Sequence, residues 1–256
     1  MSETKDERAG GGPEGGAGAK KGTDEVVPKL GSRAVLTLRF PPFPDPGGAD
    51  EPALVAHDPV RARRVVEELG TVEEVLEQLP DRPLADVPDP EVRADLDLVV
   101  VGCWGNVVHI TDPALGGDLL TYAMTEEVRR QRERHPEARI VGSVDMDYGN
   151  SYLEDVVDLP GGERAYAGGW DCDDEWELDG DPEEVLRAIG VDREAAAEAG
   201  FDLDEEPCDR SWSDLGTLAI WGRGPGAGAV GRKVSVFRVR RTSGAAFDLE
   251  EIWFGR

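Results

Sequence analysis

The chain has few of the residues that carry out most enzyme chemistry. Its 256 residues include only three histidines and three cysteines. Cys103, Cys172 and Cys208 lie far apart, are odd in number and form no Cys-x-x-Cys pair, which argues against a disulfide framework. No His-Glu-x-x-His or other zinc-ligand spacing occurs. The sequence therefore predicts no metal and no cofactor, and it favours a binding protein over an enzyme.

Long apolar runs are also missing. The N-terminal sequence MSETKDERAGGG lacks the apolar core of a signal peptide, and no apolar run approaches the roughly 20 residues that span a bilayer. With so few cysteines, this predicts a soluble protein of the reducing cytoplasm. Residues 1–31 hold eight glycines and few large apolar residues, so we expect a disordered tail there and a single domain over residues 32–256.

Positive charge is scarce as well, with five lysines in the whole chain and a formal net charge of −26. Residues 145–214 alone contain 24 carboxylates and four arginines. Such a chain is repelled by phosphate backbones and anionic lipids, so neither a nucleic acid nor a membrane is an expected partner. If the charge serves recognition, it favours a basic protein partner, such as a cationic toxin or a regulatory protein; an acidic surface that only maintains solubility is the simpler explanation. The oligomeric state stays open. The excess of arginine over lysine indicates a high-GC bacterial genome.

The spacing of apolar residues predicts short helices and strands. Helices are expected at about 59–69, 71–79, 118–134, 182–189 and 192–197. Strands are expected at about 33–40, 96–101, 107–110, 140–146, 156–159, 165–170, 215–221, 233–240 and 250–254. Because these elements alternate without the long crossovers of a doubly wound sheet, the predicted fold class is α+β, a single domain with a largely antiparallel sheet and several short helices.

Two motifs resemble known sites but lack the sequence context that those sites need. Gly226–Gly231 matches G-x-G-x-x-G, but β-type sequence follows it instead of the helix whose N-terminus would hold a phosphate. Asp145 and Asp147 could hold a hard divalent cation, yet the spacing of an EF-hand loop would place Val156 where a glutamate is required. We therefore predict a flexible loop at 222–231 and turn or cap carboxylates at the two aspartates.

Candidates for catalysis are equally isolated. Ser143 lacks the second glycine of a nucleophile elbow. His109 lies six residues after Cys103, so the two side chains could form a pair in space, although a hydrogen-bonded core histidine explains the pattern more simply. A small-molecule enzyme would instead use carboxylates from the acidic stretch. Its nominal catalytic residues are Asp145, Asp147 and Asp173.

The densest feature of the sequence is Trp170–Trp176, where two large aromatic rings bracket four carboxylates. Tryptophan is a frequent interface anchor, and carboxylates attract and orient a partner rich in arginine or lysine. The two rings could also pack inward while the acids stay in solvent. The predicted binding residues are Trp170, Asp171, Asp173, Asp174, Glu175 and Trp176.

Five short motifs, mostly caps and turns, are spread along the chain. They are Pro41-Pro42-Phe43-Pro44, His57-Asp58-Pro59, the sequence GTVEEVL at 70–76, Thr111-Asp112-Pro113 and the sequence FDLDEEP at 201–207. Together they resemble a family of acidic cytosolic proteins from high-GC filamentous soil bacteria, over about residues 33–256. That family has no assigned activity, so the resemblance supports a single domain and implies nothing about chemistry.

Overall fold

A nine-stranded antiparallel sheet organises the part of the chain that the structure describes. The structure is a computed structural model and describes residues 22–28, 31–46, 55–118, 121–171, 173, 175–222 and 231–256. The strands are β1 (Arg33–Arg39), β2 (Val72–Pro83), β3 (Leu98–Trp104), β4 (Val107–Thr111), β5 (Arg139–Asp147), β6 (Ser151–Asp158), β7 (Arg164–Trp170), β8 (Glu177–Gly180) and β9 (Lys233–Arg241). Their order is β2-β9-β3-β4-β1-β5-β6-β7-β8, and every neighbouring pair is antiparallel. The predicted α+β fold with a largely antiparallel sheet is confirmed.

Helices cover both faces of this sheet. They are α1 (Pro59–Glu68), α2 (Ala123–Arg134), α3 (Pro182–Ile189), α4 (Arg193–Glu198), α5 (Trp212–Trp221) and α6 (Ser243–Phe254). On the first face, α1, α2 and α6 enclose a large apolar core that contains Leu36, Ile140 and Trp253. On the second face, α3, α4 and α5 pack over β6 and β7 around Phe201. A smaller apolar cluster around Trp104 lies on the same face, over β3 and β9.

The segment predicted as a helix at 71–79 is the strand β2. It pairs with β9, but the register shifts three times, between Val72 and Glu74, between Val75 and Glu77, and again before Arg82. Each extra residue interrupts the two-residue alternation of a strand, so the inward-facing residues fall at intervals that imitate a helix. Leu76, which a helix would bury beside Val72, is 49% exposed.

The segments predicted as strands at 215–221 and 250–254 belong to the helices α5 and α6. Both are short apolar runs, for which spacing alone does not separate a buried strand from a buried helix. The helix α5 packs against β5 and β6 and buries residues around most of its circumference, including Leu215 and Ala219. For α6 the missed signal was Thr242, whose hydroxyl oxygen accepts from the Ala245 N–H at 3.4 Å as an N-cap.

Residues 22–28, which fall within the predicted disordered tail, contact the domain instead. Val27 is 1% exposed and belongs to the first core. Its N–H donates to the carbonyl of Glu91 at 2.9 Å, and the N–H of Arg93 donates to the carbonyl of Glu25 at 2.8 Å. One buried valine and a short backbone pairing thus order a segment whose composition predicted none. Residues 1–21, 29 and 30 lie outside the described residues.

Candidate functional site

A cavity of about 670 Å³ lies on the second face of the sheet. Strands β1, β3, β4, β5 and β6 contribute its floor, and α5 forms one wall. Residues 82–90, which comprise the end of β2 and the segment after it, form the other wall. The wall side chains are mainly apolar and include Leu84, Val87, Pro88, Pro90, Ile220 and Trp221. Small-molecule sites in proteins occupy about 300–1,000 Å³, so the cavity has the size of a ligand site.

Strand register places the polar groups of the cavity floor. Directly paired residues of antiparallel strands point to the same face of a sheet. One row runs across β4, β1, β5 and β6 and consists of Thr111, Val35, Ser143 and Asp155. The adjacent row runs across β4, β1 and β5 and consists of His109, Thr37 and Val141. A carboxyl group therefore lies at one end of the floor and an imidazole lies towards the other.

At the first end, Ser143 is the direct partner of Asp155 in the register of β5 and β6, so its hydroxyl lies beside the Asp155 carboxyl group. The Asp155 side chain is half-buried, and its Oδ1 atom is shielded from solvent with no hydrogen-bond partner among the described residues. Burial raises the pKa of Asp155 to about 7, and the charges of Asp145 and Asp214 act in the same direction, against the effect of the Ser143 hydroxyl. Asp155 therefore changes its charge near neutral pH.

At the other end, Thr37 Oγ1 and His109 Nδ1 form a hydrogen bond of 3.1 Å. The His109 ring also lies against Trp104, with 6.1 Å between ring centroids. Burial lowers the pKa of His109 to about 4, and the positive charge of Arg33 acts in the same direction. A neutral imidazole donates or accepts at its second nitrogen according to its tautomer, so His109 can meet either kind of polar group.

An ion pair closes part of the exposed margin of the cavity. Arg33 on β1 lies 3.1 Å from Asp89 in the 82–90 wall, with side chains 60% and 47% exposed. A pair this exposed contributes little to stability, at most about 1 kcal/mol. Because it joins the floor to one wall, its opening would widen access to the cavity.

The two polar ends of the floor are too far apart to act as one catalytic pair. His109 is on β4 and Asp155 is on β6, with β1 and β5 between them. Three strand spacings of about 4.8 Å put about 14 Å between the backbones of the two residues. A general base has to lie within hydrogen-bond reach of its nucleophile. The arrangement suits contacts with two ends of one bound molecule.

A Ser-His-Asp chain elsewhere in the fold has the wrong polarity for nucleophilic catalysis. The Cys103 N–H donates to His57 Nδ1 at 3.1 Å, so in the neutral ring Nε2 carries the proton and donates to Ser235 Oγ at 2.9 Å. Ser235 in turn donates to Asp81 at 2.7 Å. In a catalytic triad the histidine takes the proton from the serine, and here the serine receives a hydrogen bond from the histidine. Ser235 is also fully buried, so the chain is a structural link between β9, β2 and the residues before α1.

The nominal catalytic acids do not meet at the cavity. Asp145 and Asp147 lie at the end of β5, and Asp147 accepts a hydrogen bond from the Gly149 N–H at 2.6 Å, as the predicted turn carboxylate. Asp173 is exposed beyond the end of β7. None of the three lines the cavity. The described residues contain no group of three or more His, Cys, Asp or Glu side chains placed to hold a metal ion.

Two further candidate sites from the sequence are a Cys–His pair, whose members the fold separates, and a glycine motif that lies mostly outside the described residues. Cys103 belongs to the first core and His109 to the second face, so the sheet divides them and they form no pair. Burial raises the pKa of Cys103 to about 12, which keeps it a thiol. Most of the Gly226–Gly231 motif, and of the loop predicted at 222–231, lies in residues 223–230, outside the described residues.

The Trp170–Trp176 segment places its two rings on opposite faces of the sheet. Trp170 packs against the first core and makes edge contacts with Tyr148 and Tyr152, at 5.1 and 5.4 Å between centroids. Trp176 packs against the second core. Both rings are half-buried, whereas Asp171, Asp173 and Glu175 are exposed. Cys172 and Asp174 lie outside the described residues. The binding of a basic partner here stays a prediction.

Asp155 was missed because its strand is covered on both faces. In β6, Leu153, Asp155 and Val157 alternate with Tyr152, Glu154 and Val156, so each face receives one carboxyl group between apolar residues. A carboxyl group within an apolar strand of this kind is an available signal of a buried polar site. The density of acidic residues around it, in the most acidic part of the chain, concealed that signal.

A second cavity, of about 530 Å³, lies near the N-terminal ends of α2 and α6. Its lining contains the acidic residues Glu126, Glu127, Asp248 and Glu251. Glu127 is already satisfied, because it accepts hydrogen bonds from the Gly70 N–H and from Gln131. This cavity lacks the combination of apolar walls and converging polar groups that marks the first one.

Comparisons with known proteins identify the family of the chain but assign no activity to it. No helix in the described ranges has the length and apolarity needed to cross a membrane. A search of curated proteins and a search of solved structures found no match. A family model described as DUF6333, a family of unknown function, matches residues 19–256. This agrees with the extent of the resemblance seen in the sequence motifs. The chain therefore belongs to the DUF6333 family.

Proposed function

We propose that the protein binds a small molecule with a mainly apolar body in the cavity between α5 and residues 82–90. The observation that carries the proposal is the combination of concave shape, size and polarity: apolar walls around about 670 Å³, with a few polar groups on the floor. The apolar walls would supply affinity by removing ligand surface from water, and the polar ends would set orientation.

Binding is favoured over catalysis by the geometry of the polar groups. Ser143 has a carboxyl partner and no histidine, and His109 has a threonine partner and no acid. Among the described cavity residues, no nucleophile is therefore hydrogen-bonded to a base with a third group behind it, as nucleophilic catalysis requires. We regard a small-molecule enzyme that uses Asp155 alone as a general acid or base as the second candidate, because its pKa of about 7 suits proton transfer.

The setting of this function is part of the same proposal. We propose that the protein works in the cytoplasm of a high-GC bacterium, which fits its few cysteines and its preference for arginine over lysine. Its acidic surface would keep it soluble and away from nucleic acids and anionic lipids.

A pair of variants at one wall position tests ligand binding. Thr217 on α5 lines the cavity, and its hydroxyl makes only a local hydrogen bond to the carbonyl of Ser213. Thr217→Phe should fill space in the cavity, whereas Thr217→Ala should leave it open. Fluorescence titration with the neutral apolar probe N-phenyl-1-naphthylamine measures the outcome. We expect saturable binding by wild type and Thr217→Ala and at least tenfold weaker binding by Thr217→Phe, with thermal melts to confirm that both variants fold. Equal binding by all three proteins would contradict the proposal.

A further inference from the structure

We propose that the ligand of this cavity carries a protonated amine, and that the amine lies against the Asp155 carboxylate. This inference rests on the proposed function, because it names the chemistry of the molecule bound there. The supporting observations are the charges at that end of the cavity, the incomplete hydrogen bonding of Asp155, and the neutral character of the opposite end.

The Asp155 end of the cavity is acidic, and no positive side chain pairs with Asp155 there. Ser143 and Asp145 approach from β5 and Asp214 approaches from α5, while the β7 residue paired with Asp155 is Ala167. No lysine or arginine among the described residues forms an ion pair or hydrogen bond with Asp155. Arg33, the cation of this part of the floor, is paired with Asp89 at the margin. A ligand cation beside Asp155 would therefore offset the repulsion that Asp145 and Asp214 exert on its carboxylate.

The hydrogen bonding of Asp155 indicates that the ligand group beside it is a hydrogen-bond donor. An ionised carboxylate only accepts hydrogen bonds and has room for about four. Among the described residues, none donates to Asp155 within ordinary hydrogen-bond distance. Its Oδ1 atom is shielded from solvent, which leaves the second carboxylate oxygen to face the cavity. An ammonium group carries three donors and no acceptor, so it can donate to this oxygen. A carboxylate or phosphate on the ligand would instead place a like charge beside Asp155, which is unfavourable.

The walls and the far end of the cavity indicate the chemistry of the rest of the ligand. The walls are apolar, so the amine must be attached to a hydrocarbon or aromatic body. At the far end, neutral His109 and Thr37 offer uncharged hydrogen bonds. An apolar amine with an uncharged polar group at its other end fits both ends of the floor.

Binding of such an amine should strengthen as the pH rises through neutrality. An alkylamine, with a pKa near 10 as in lysine, stays protonated throughout this range. Asp155, whose pKa is about 7 in the free protein, must lose its proton to pair with the amine. Its ionised fraction rises from about one tenth at pH 6 to about nine tenths at pH 8, so the affinity should rise about tenfold.

Three probes of equal chain length test the inference: n-octylamine, n-octanol and n-octanoate. Each would displace N-phenyl-1-naphthylamine from the full-length protein at pH 8 in 0.3 M NaCl, a salt concentration that weakens non-specific attraction of the amine to the acidic surface. In wild type we expect n-octylamine to displace the probe at a concentration at least tenfold lower than n-octanol, and n-octanoate to be the weakest. At pH 6 the advantage of the amine over the alcohol should fall about tenfold.

Two isosteric variants decide whether Asp155 is responsible. Asp155→Asn should reduce the preference for n-octylamine over n-octanol to within about twofold. Asp145→Asn removes a neighbouring exposed charge that does not line the cavity, and it should retain most of the preference. A wild-type protein that binds the alcohol as well as the amine, or a preference that survives Asp155→Asn, would overturn the inference. If the probe fails to bind, or Thr217→Phe does not block it, the proposed function itself fails.

Discussion

Compared with wild type, the Asp155→Asn variant should lose less stability as the pH rises from 5 to 8. The substitution keeps the shape of the side chain and removes its ability to ionise. In the folded protein the pKa of Asp155 is raised to about 7 from its ordinary value of 3.8. Between these two values the folded state holds a proton that the unfolded state has released, so wild-type stability falls as the pH rises. The asparagine variant lacks this loss.

The magnitude follows from the two pKa values. Linkage predicts that wild type loses about 2.5 kcal/mol more than the variant between pH 5 and pH 8. The side chain is half-buried, and solvent that reaches it through the cavity reduces the effect, so we expect about 1.5–2.5 kcal/mol. Glu154, on the other face of β6, also has a pKa raised by burial to about 7. The difference between variant and wild type is therefore the informative quantity. It removes the part of the Glu154 contribution that burial causes, and it keeps a smaller part of the same sign, because the charge of Asp155 also raises the pKa of Glu154.

Urea unfolding followed by circular dichroism at pH 5, 6, 7 and 8 measures this difference. Asp173→Asn serves as the matched control, because Asp173 is exposed, and its unfolding free energy should follow that of wild type at every pH. Parallel pH profiles for wild type and Asp155→Asn would refute the reasoning, because they would show that Asp155 is solvated like an ordinary surface carboxylate.

Three other predictions follow from buried contacts and exposed charge. Arg241→Met should lower the free energy of unfolding by about 3 kcal/mol, because it leaves Asp112 charged without its buried partner at 2.7 Å, whereas the neighbouring Arg240→Met, at an exposed pair, should cost less than about 1 kcal/mol. A chain that begins at residue 32 should be less stable than one that begins at residue 22 by about 2 kcal/mol, since it loses the buried Val27; equal melting temperatures would contradict this. Neutralising the exposed acids near Trp170 should weaken binding of a fluorescent polyarginine peptide several-fold at low salt, and more than neutralising three exposed acids elsewhere does. The first set is Asp171→Asn, Asp173→Asn and Glu175→Gln; the second is Asp204→Asn, Glu205→Gln and Glu206→Gln.

Local signals in the sequence predict those elements whose structure depends on local chemistry. Helix α1 starts where Asp58 accepts from the N–H groups of Val60 and Arg61, and α3 ends at Gly190 with a φ of 79°. Both signals are readable because a cap involves neighbours in the sequence. The hairpin of β3 and β4 also has a local signal, because its turn consists of the adjacent residues Gly105 and Asn106.

Elements that depend on distant partners were misread. The bulges of β2 exist only in its pairing with β9, more than 150 residues away, and they hide the strand in a helical spacing. The apolar run of α5 is helical because it packs across β5 and β6, which spacing within the run does not reveal.

The candidate site is less predictable than the fold, because strand order creates it. Ser143, Asp155 and Thr37 come from β5, β6 and β1 and share a surface only through their register. The sequence drew attention to the aromatic and acidic Trp170–Trp176 segment, whereas the polar groups of the cavity are isolated residues within apolar strands. Net charge indicated a cationic partner, and the Asp155 end of the cavity extends the same preference to a small cation.

Methyl NMR spectroscopy during a titration with n-octylamine at pH 8 tests the central claim most directly, because it reports where a ligand lies. The cavity is lined by the methyl groups of Val35, Val100, Val141 and Ile220, whereas Val66 and Val128 are buried in the core on the opposite face. We expect saturable shifts at the first four residues, absent in Thr217→Phe, and little change at the last two. Shifts that are spread over the surface, confined to the first core, or equal in Thr217→Phe would contradict a ligand site in this cavity.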